Sequence, residues 1–120
     1  WKEAGLPLPE KESWYVQTGQ GMLATIRIAA ERNGYTMTDR GTYIKYEADQ
    51  GGNPPLVILV EGDDILLNQY SVLAVNPKRC ENAKYDLATT FSDWMAGKAA
   101  QQLIADFRLL GKQLFTPNAN

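Results

Sequence analysis

The sequence predicts an α/β fold in which a sheet is covered by helices. Three observations carry that expectation. Short runs of β-branched and aromatic residues alternate with helical patterns through the first half of the chain. Two apolar stripes at helical spacing close it. A glycine turn, Thr18-Gly19-Gln20-Gly21, joins the first β-prone run to the first helix. With 120 residues, 44% of them hydrophobic and 22% charged, the chain has the length and composition of one domain with a single sizeable core.

Taken in order, residues 1–13 read as a lead-in. Trp1 to Ala4 fit the last turn of a helix that began upstream, closed by Gly5, and Pro7 and Pro9 then forbid regular structure. A strand over 14–17, Trp14-Tyr15-Val16-Gln17, feeds the glycine turn. From Met22 to Asn33 the residues Met22, Ile26 and Ala29-Ala30 recur as one helical face, Arg27 and Glu31 are spaced as an i,i+4 pair, and Asn33-Gly34 supplies the stop. Tyr35 to Asp39 reads as a short strand. Thr42 to Tyr46 alternates, as a second strand or the start of a short helix, and Asp49 to Pro55 reads as a loop. Leu56 to Val60 is unbroken and aliphatic, which suits a strand covered on both faces. Tyr70 to Val75 is the next strand, ended by Asn76-Pro77. Leu87, Phe91 and Trp94-Met95 form one core-facing helical stripe, Gly97 interrupts, and Ala100, Leu103-Ile104 and Phe107 form the next. The tail from Gly111 reads as loose apart from Leu114 and Phe115.

Several function classes are excluded. A net charge of −2 provides no basic stripe for nucleic acid. The longest uncharged apolar run, Leu56 to Val60, is too short to span a bilayer. There is no histidine, which removes Ser-His-Asp and Cys-His catalysis and the usual zinc sites, and a single cysteine, Cys80, makes neither an intrachain disulfide nor a metal cluster. No base accompanies Cys80, so it reads as a bystander thiol. The first residue is Trp1 rather than Met, as expected of a processed or excised piece, and the lack of a signal peptide says nothing about compartment.

What chemistry remains is concentrated at the glycine turn. Gly19 and Gly21 let the backbone turn sharply and let a ligand approach it. The first N–H groups of the following helix have no intrahelical partners and lie at the positive end of the macrodipole. A strand–glycine turn–helix junction is therefore a ready anion site. A competing reading is a dinucleotide fingerprint, Gly19-x-Gly21-x-x-Ala24 with Asp39 as the ribose acid. Polar Gln17 and Thr18 at the strand end, the half-polar strand before Asp39 and the short chain all count against it. Asp39 reads rather as pairing with Arg40 or capping the following turn. Asp63-Asp64 is a paired-carboxylate candidate for enzymatic work, set in a glycine turn where a solvated loop is the plainer account.

Longer stretches carry a specific resemblance. Thr18-Gly19-Gln20-Gly21-Met22-x-Ala24-Thr25 with Ala29-Ala30-Glu31, Tyr35 through Tyr43, Leu59-Val60-Glu61-Gly62-Asp63 followed by Asn68-x-Tyr70, Val75-Asn76-Pro77, Phe91-x-Asp93-Trp94 and Gly111-x-Gln113-Leu114-Phe115 resemble, in order, the second lobe of the tungstate-binding proteins of ABC importers. The likeness covers nearly the whole chain. Leu23 stands where that family usually has glycine and Gln69 where it favours proline; neither change removes an anion donor.

The resemblance implies a type II periplasmic-binding-protein-like fold, two α/β lobes closing on a tetrahedral oxyanion, with this chain supplying the second lobe and the C-terminal helices. It implies a division into 1–13 as lead-in from the upstream lobe, 14–66 as the anion-binding segment, and 67–120 as a returning strand with closing helices. It implies tungstate or molybdate as cargo, an inner-membrane permease as partner, a periplasmic or membrane-anchored location and no cofactor. The anion-binding residues it points to are Thr18, Gly19, Gln20, Gly21, Met22 and Thr25, with the other half of the cage upstream. Such a piece exposes an interlobe face, which self-association would cover. An effector-sensing domain of a transcriptional regulator, which shares the two-lobe fold, is the alternative. Replacing Gly21 by proline is expected to remove one N–H and to distort the turn.

Overall fold

The computed structural model describes residues 1–119. The chain divides into two compact units, Trp1–Leu56 and the stretch from Val57 onward.

In the first unit, α1 (Met22–Glu31) starts where the glycine turn ends, with Gly21 extended at the N-cap. It stops because Asn33 takes a left-handed backbone (φ 50°), so that Gly34 N–H reaches the Ala29 carbonyl at 2.8 Å and Asn33 N–H that of Ala30 at 3.2 Å. That pair of bonds is a Schellman closure, made here with asparagine in the position glycine usually holds. α2 (Arg40–Asp49) ends on the same device, Gly52 N–H to Glu47 O at 2.9 Å and Gly51 N–H to Ala48 O at 3.0 Å. The lead-in has it as well: Leu6 N–H bonds Trp1 O at 2.9 Å and Gly5 N–H bonds Lys2 O at 3.0 Å, with Gly5 at φ 67°. Residues 1–6 thus carry the helix-ending turn expected of them. Trp1 then folds back onto Trp14 (ring centroids 5.5 Å apart) and Tyr15 (6.4 Å), at the approach to the glycine turn.

α1 and α2 pack together through the buried side chains Ile26, Ala29, Ile44 and Tyr46. Burying one such aliphatic side chain is worth about 1.5–3 kcal/mol. Met22, expected on the buried face, is about half exposed. Arg27 pairs across the two helices with Asp49 at 3.0 Å rather than along its own helix with Glu31, and Lys45 reaches the same carboxylate at 2.9 Å. The Lys45 hydrogen bond, seconded by Arg27, holds the Asp49 carboxyl below the ordinary carboxylate range. Thr42 to Tyr46 is helix, not strand. Two hydroxyls, Thr38 Oγ1 and Tyr46 Oη, are buried without a hydrogen-bond partner among the described residues.

The second unit holds a 3₁₀ turn (Asp64–Leu66), α3 (Tyr85–Ala96), α4 (Lys98–Asp106) and a two-stranded hairpin, β1 (Arg108–Leu109) with β2 (Lys112–Gln113). Gly97 breaks α3 from α4 as its position predicts. The helical stripes are not core-facing as expected. Ala100 is buried, but Leu87, Phe91 and Trp94 are 70%, 53% and 49% exposed. The tail is not loose either: Leu110-Gly111 turns the hairpin, and residues beyond it are bonded back to Gln69 and Gln101.

The runs 15–17, 35–38, 57–60 and 70–75, expected as strands, lie outside helices and strands and have no ladder partner among the described residues. Val57 to Val60, expected to be covered on both faces, are 45–69% exposed. β-branched side chains favour extended dihedrals by themselves. A sheet also needs a neighbouring backbone to take up N–H and C=O groups, and the hairpin is the only place where the described residues supply one.

Candidate functional site

All six predicted site residues lie at one junction in the first unit. Gly19 turns the chain at φ 63°, and Gly21 has extended geometry (φ −67°, ψ 166°) just before α1. A hydrogen-bonded ring holds the turn. Gln20 N–H donates to Thr18 Oγ1 at 3.4 Å, the Thr18 and Thr25 hydroxyls share a bond of 2.8 Å, and the Thr25 hydroxyl reaches the Gln20 carbonyl at 3.4 Å.

Counting protons in that ring sets its chemistry. Two hydroxyls carry two protons. With Thr25 donating to Gln20 O and Thr18 donating to Thr25, both are consumed within the turn. The Thr25–Gln20 bond, at 3.4 Å, is at the weak edge of hydrogen bonding. Turning the pair, so that Thr25 donates to Thr18, frees the Thr18 proton to point outward at the cost of that weakest bond.

The outward donors are main-chain groups. Thr25 N–H makes the first bond of the helix, to Gly21 O at 3.0 Å. The N–H groups of Gly21, Met22, Leu23 and Ala24 precede it and have no hydrogen-bond partner among the described residues. No side chain caps the helix, and its first turn contains no acid. Gly19, Gln20, Gly21 and Met22 are exposed, and a Cβ placed on Gly21 would meet nothing within 4 Å. The result is a bare helix N-terminus that offers donors and partial positive charge. Leu23 and Ala24 belong to this donor set although the sequence reading named neither. The signal was available, since a helix beginning at Met22 leaves its whole first turn unpaired.

The other candidates are engaged elsewhere. Asp39 caps α2, accepting from Thr42 N–H at 2.7 Å and the Thr42 hydroxyl at 3.1 Å. That satisfies its capping reading and leaves the ribose-acid role without its carboxylate. Asp63 caps the 3₁₀ turn through Ile65 N–H at 3.0 Å. Cys80 is an exposed free thiol. An open hollow in the second unit, lined by Ala74, Asn76, Pro77, Lys78 and Tyr85, contains none of the predicted residues.

Comparison with known proteins bears on this junction. A family model described as the PBP superfamily domain matches residues 1–99. The chain is 56% identical over 99% of its length to the tungstate-binding protein TupA of Campylobacter jejuni, covering 44% of that protein. It is 42% identical to TupA of Peptoclostridium acidaminophilum, covering 40% of it, and 33% identical to a putative ABC transporter anion-binding protein of Haloferax volcanii, covering 34% of it. Among solved structures, the tungstate-binding protein TupA from Desulfovibrio alaskensis G20 superposes with a TM-score of 0.90 at 67% identity, over all of this chain and 48% of that one. The chain therefore spans about half the length, or less, of the relatives it matches.

Proposed function

This chain belongs to the PBP superfamily, with the α/β fold of that group, and from that premise we propose that it is one side of an oxyanion cage in an ABC-importer solute-binding protein whose cargo is tungstate or the similar molybdate. The single observation that carries the reading is the bare first turn of α1, four outward N–H donors with no acid beside them. A fully ionised tetrahedral dianion offers only acceptors, so its site needs donors and is spoiled by a carboxylate. Gly21 and Met22 contact the anion through their N–H groups, Gly19 and Gln20 shape the turn, and the Thr18–Thr25 pair turns one hydroxyl toward it as a hydrogen-bond donor. The names of the relatives, tungstate-binding and ABC transporter anion-binding, support this cargo. Those relatives are binding proteins, and the role proposed is capture and release, with no bond of the anion made or broken.

In this reading residues 1–13 lead in from an upstream lobe, 14–66 hold the anion, and 67–120 return toward that lobe and close the fold. The runs without ladders and the bare stripe of α3 are then surfaces that the rest of the protein covers. An isolated piece self-associates through them. The whole protein works in the periplasm, or anchored on the outer face of the cytoplasmic membrane, and delivers its cargo to an inner-membrane permease.

The test is a paired calorimetric titration with tungstate of these 120 residues and of the full-length protein, in identical buffer and salt. Each missing donor costs about 1–3 kcal/mol, so the piece alone is expected to bind at roughly millimolar or weaker while the whole binds tightly. Tight stoichiometric binding by the monomeric piece refutes a cage divided between two lobes, and no binding by the whole refutes the cargo.

A further inference from the structure

We propose that residues 113–119 are a strap that fixes the direction of the segment starting at Gln69. Three anchors lie along it. Asn118 and Gln69 exchange two hydrogen bonds between their side-chain amides, Asn118 Nδ2 to Gln69 Oε1 at 2.7 Å and Gln69 Nε2 to Asn118 Oδ1 at 3.2 Å. A two-point amide pair sets orientation as well as distance. Three residues earlier, the Phe115 ring meets Tyr70 edge-on, with centroids 5.7 Å apart at 79°, and leans on Phe107 at 6.5 Å. One residue later, Ala119 N–H donates to Gln101 Oε1 at 3.1 Å, while the other end of the same amide, Gln101 Nε2, donates to Met95 O at 2.8 Å near the end of α3. Gln101 thereby ties the strap to the corner between α3 and α4. Between the anchors, the ring of Pro117 fixes φ.

The strap matters because residues 70–75 have no ladder of their own among the described residues. Among the described residues their backbone takes one hydrogen bond, from the Gln69 amide to the Tyr70 carbonyl at 2.9 Å. All three anchors are uncharged, so the lock is indifferent to salt and to pH through the neutral range. The inference rests on the function proposed above only in taking 70–75 as the returning strand, whose register the strap would set before pairing.

Amide hydrogen exchange of the ligand-free full-length protein tests it, with Gln69→Ala, Asn118→Ala and the double variant. Loss of the two exposed neutral bonds predicts exchange at 70–75 faster by roughly three- to tenfold in either single variant, at low and high salt alike, with the double no faster than Gln69→Ala, which also loses the bond to the Tyr70 carbonyl. Unchanged exchange in the single variants overturns the strap, as do effects that multiply in the double. Equal acceleration in α1, which marks general destabilisation, also overturns it. No anion enters this measurement, so its failure leaves the oxyanion reading standing, and failure of the tungstate titration leaves the strap standing.

Discussion

Replacing Gly21 with proline in the full-length protein isolates a single donor of the proposed cage. Sequence reasoning expects this change to remove an N–H and to distort the turn, and the backbone angle of Gly21 bears on the second half. Gly21 already sits at φ −67°, the angle a pyrrolidine ring imposes, and its added Cβ meets nothing within 4 Å. At residue 21 itself the substitution therefore deletes one hydrogen without a change of φ. One hydrogen bond to a charged acceptor is worth about 1.5–3 kcal/mol, so affinity for tungstate should fall roughly tenfold to a hundredfold. Gly21→Ala is the control: it keeps the N–H in the same open space and should bind like the parent. Calorimetric titration of the three proteins, each checked for an unchanged melting temperature, reads the result. Parental affinity in Gly21→Pro would mean that this N–H does not touch the anion. Equal losses in both variants would mean that the missing hydrogen is not the cause.

Two further outcomes follow from the capping and charge geometry. Asp39→Ala removes both bonds to Thr42 and should cost about 0.5–2 kcal/mol in urea unfolding while leaving tungstate affinity unchanged; Asp63→Asn should likewise spare affinity, and a large loss in either would restore an acidic residue to the site. For Asp49, whose carboxyl titrates below its ordinary value because Lys45 and Arg27 hold it charged, the stabilisation is complete above the unfolded-state pKa near 3.8 and is lost as pH falls through the lower folded-state value. Urea midpoints followed from about pH 5 to about pH 2 should therefore fall less steeply in Asp49→Asn than in the parent, and parallel curves would remove Asp49 from the acid response.

The parts of the fold written in local chemistry were legible. Gly19 and Gly21 announced the turn and Asn33-Gly34 the stop, because each serves a backbone angle or cap that few residues fill. α2 was half missed for an identifiable reason. Ile44 and Tyr46 are both buried although two residues apart, so a helix covered from two sides imitates the alternation of a strand. The β1–β2 hairpin was hidden by its own turn. Both central residues, Leu110 and Gly111, have positive φ (50° and 79°), the geometry that Asn-Gly usually advertises, and leucine there gives no such signal. Burial on α3 and at 57–60 was misjudged because an apolar pattern records what a segment can cover, while the covering partner is a tertiary fact. At the site, residue types identified the donors, but whether two threonines face a ligand or each other is decided by a 2.8 Å separation that no spacing encodes.

Leu56 to Val60 carries a consequence for the nascent chain. Five aliphatic residues without a charge, four of them with open backbone edges and more than two-fifths of their surface bare, are a template for cross-β stacking between copies. The flanks answer that hazard. Pro54 and Pro55 precede the run and Glu61 follows it, so ring and charge stand at its two ends as gatekeepers. Pro55→Ala together with Glu61→Ala would lengthen the sticky window at both ends. Such a protein would be lost during synthesis, as insoluble material, before its affinity for anything was ever tested.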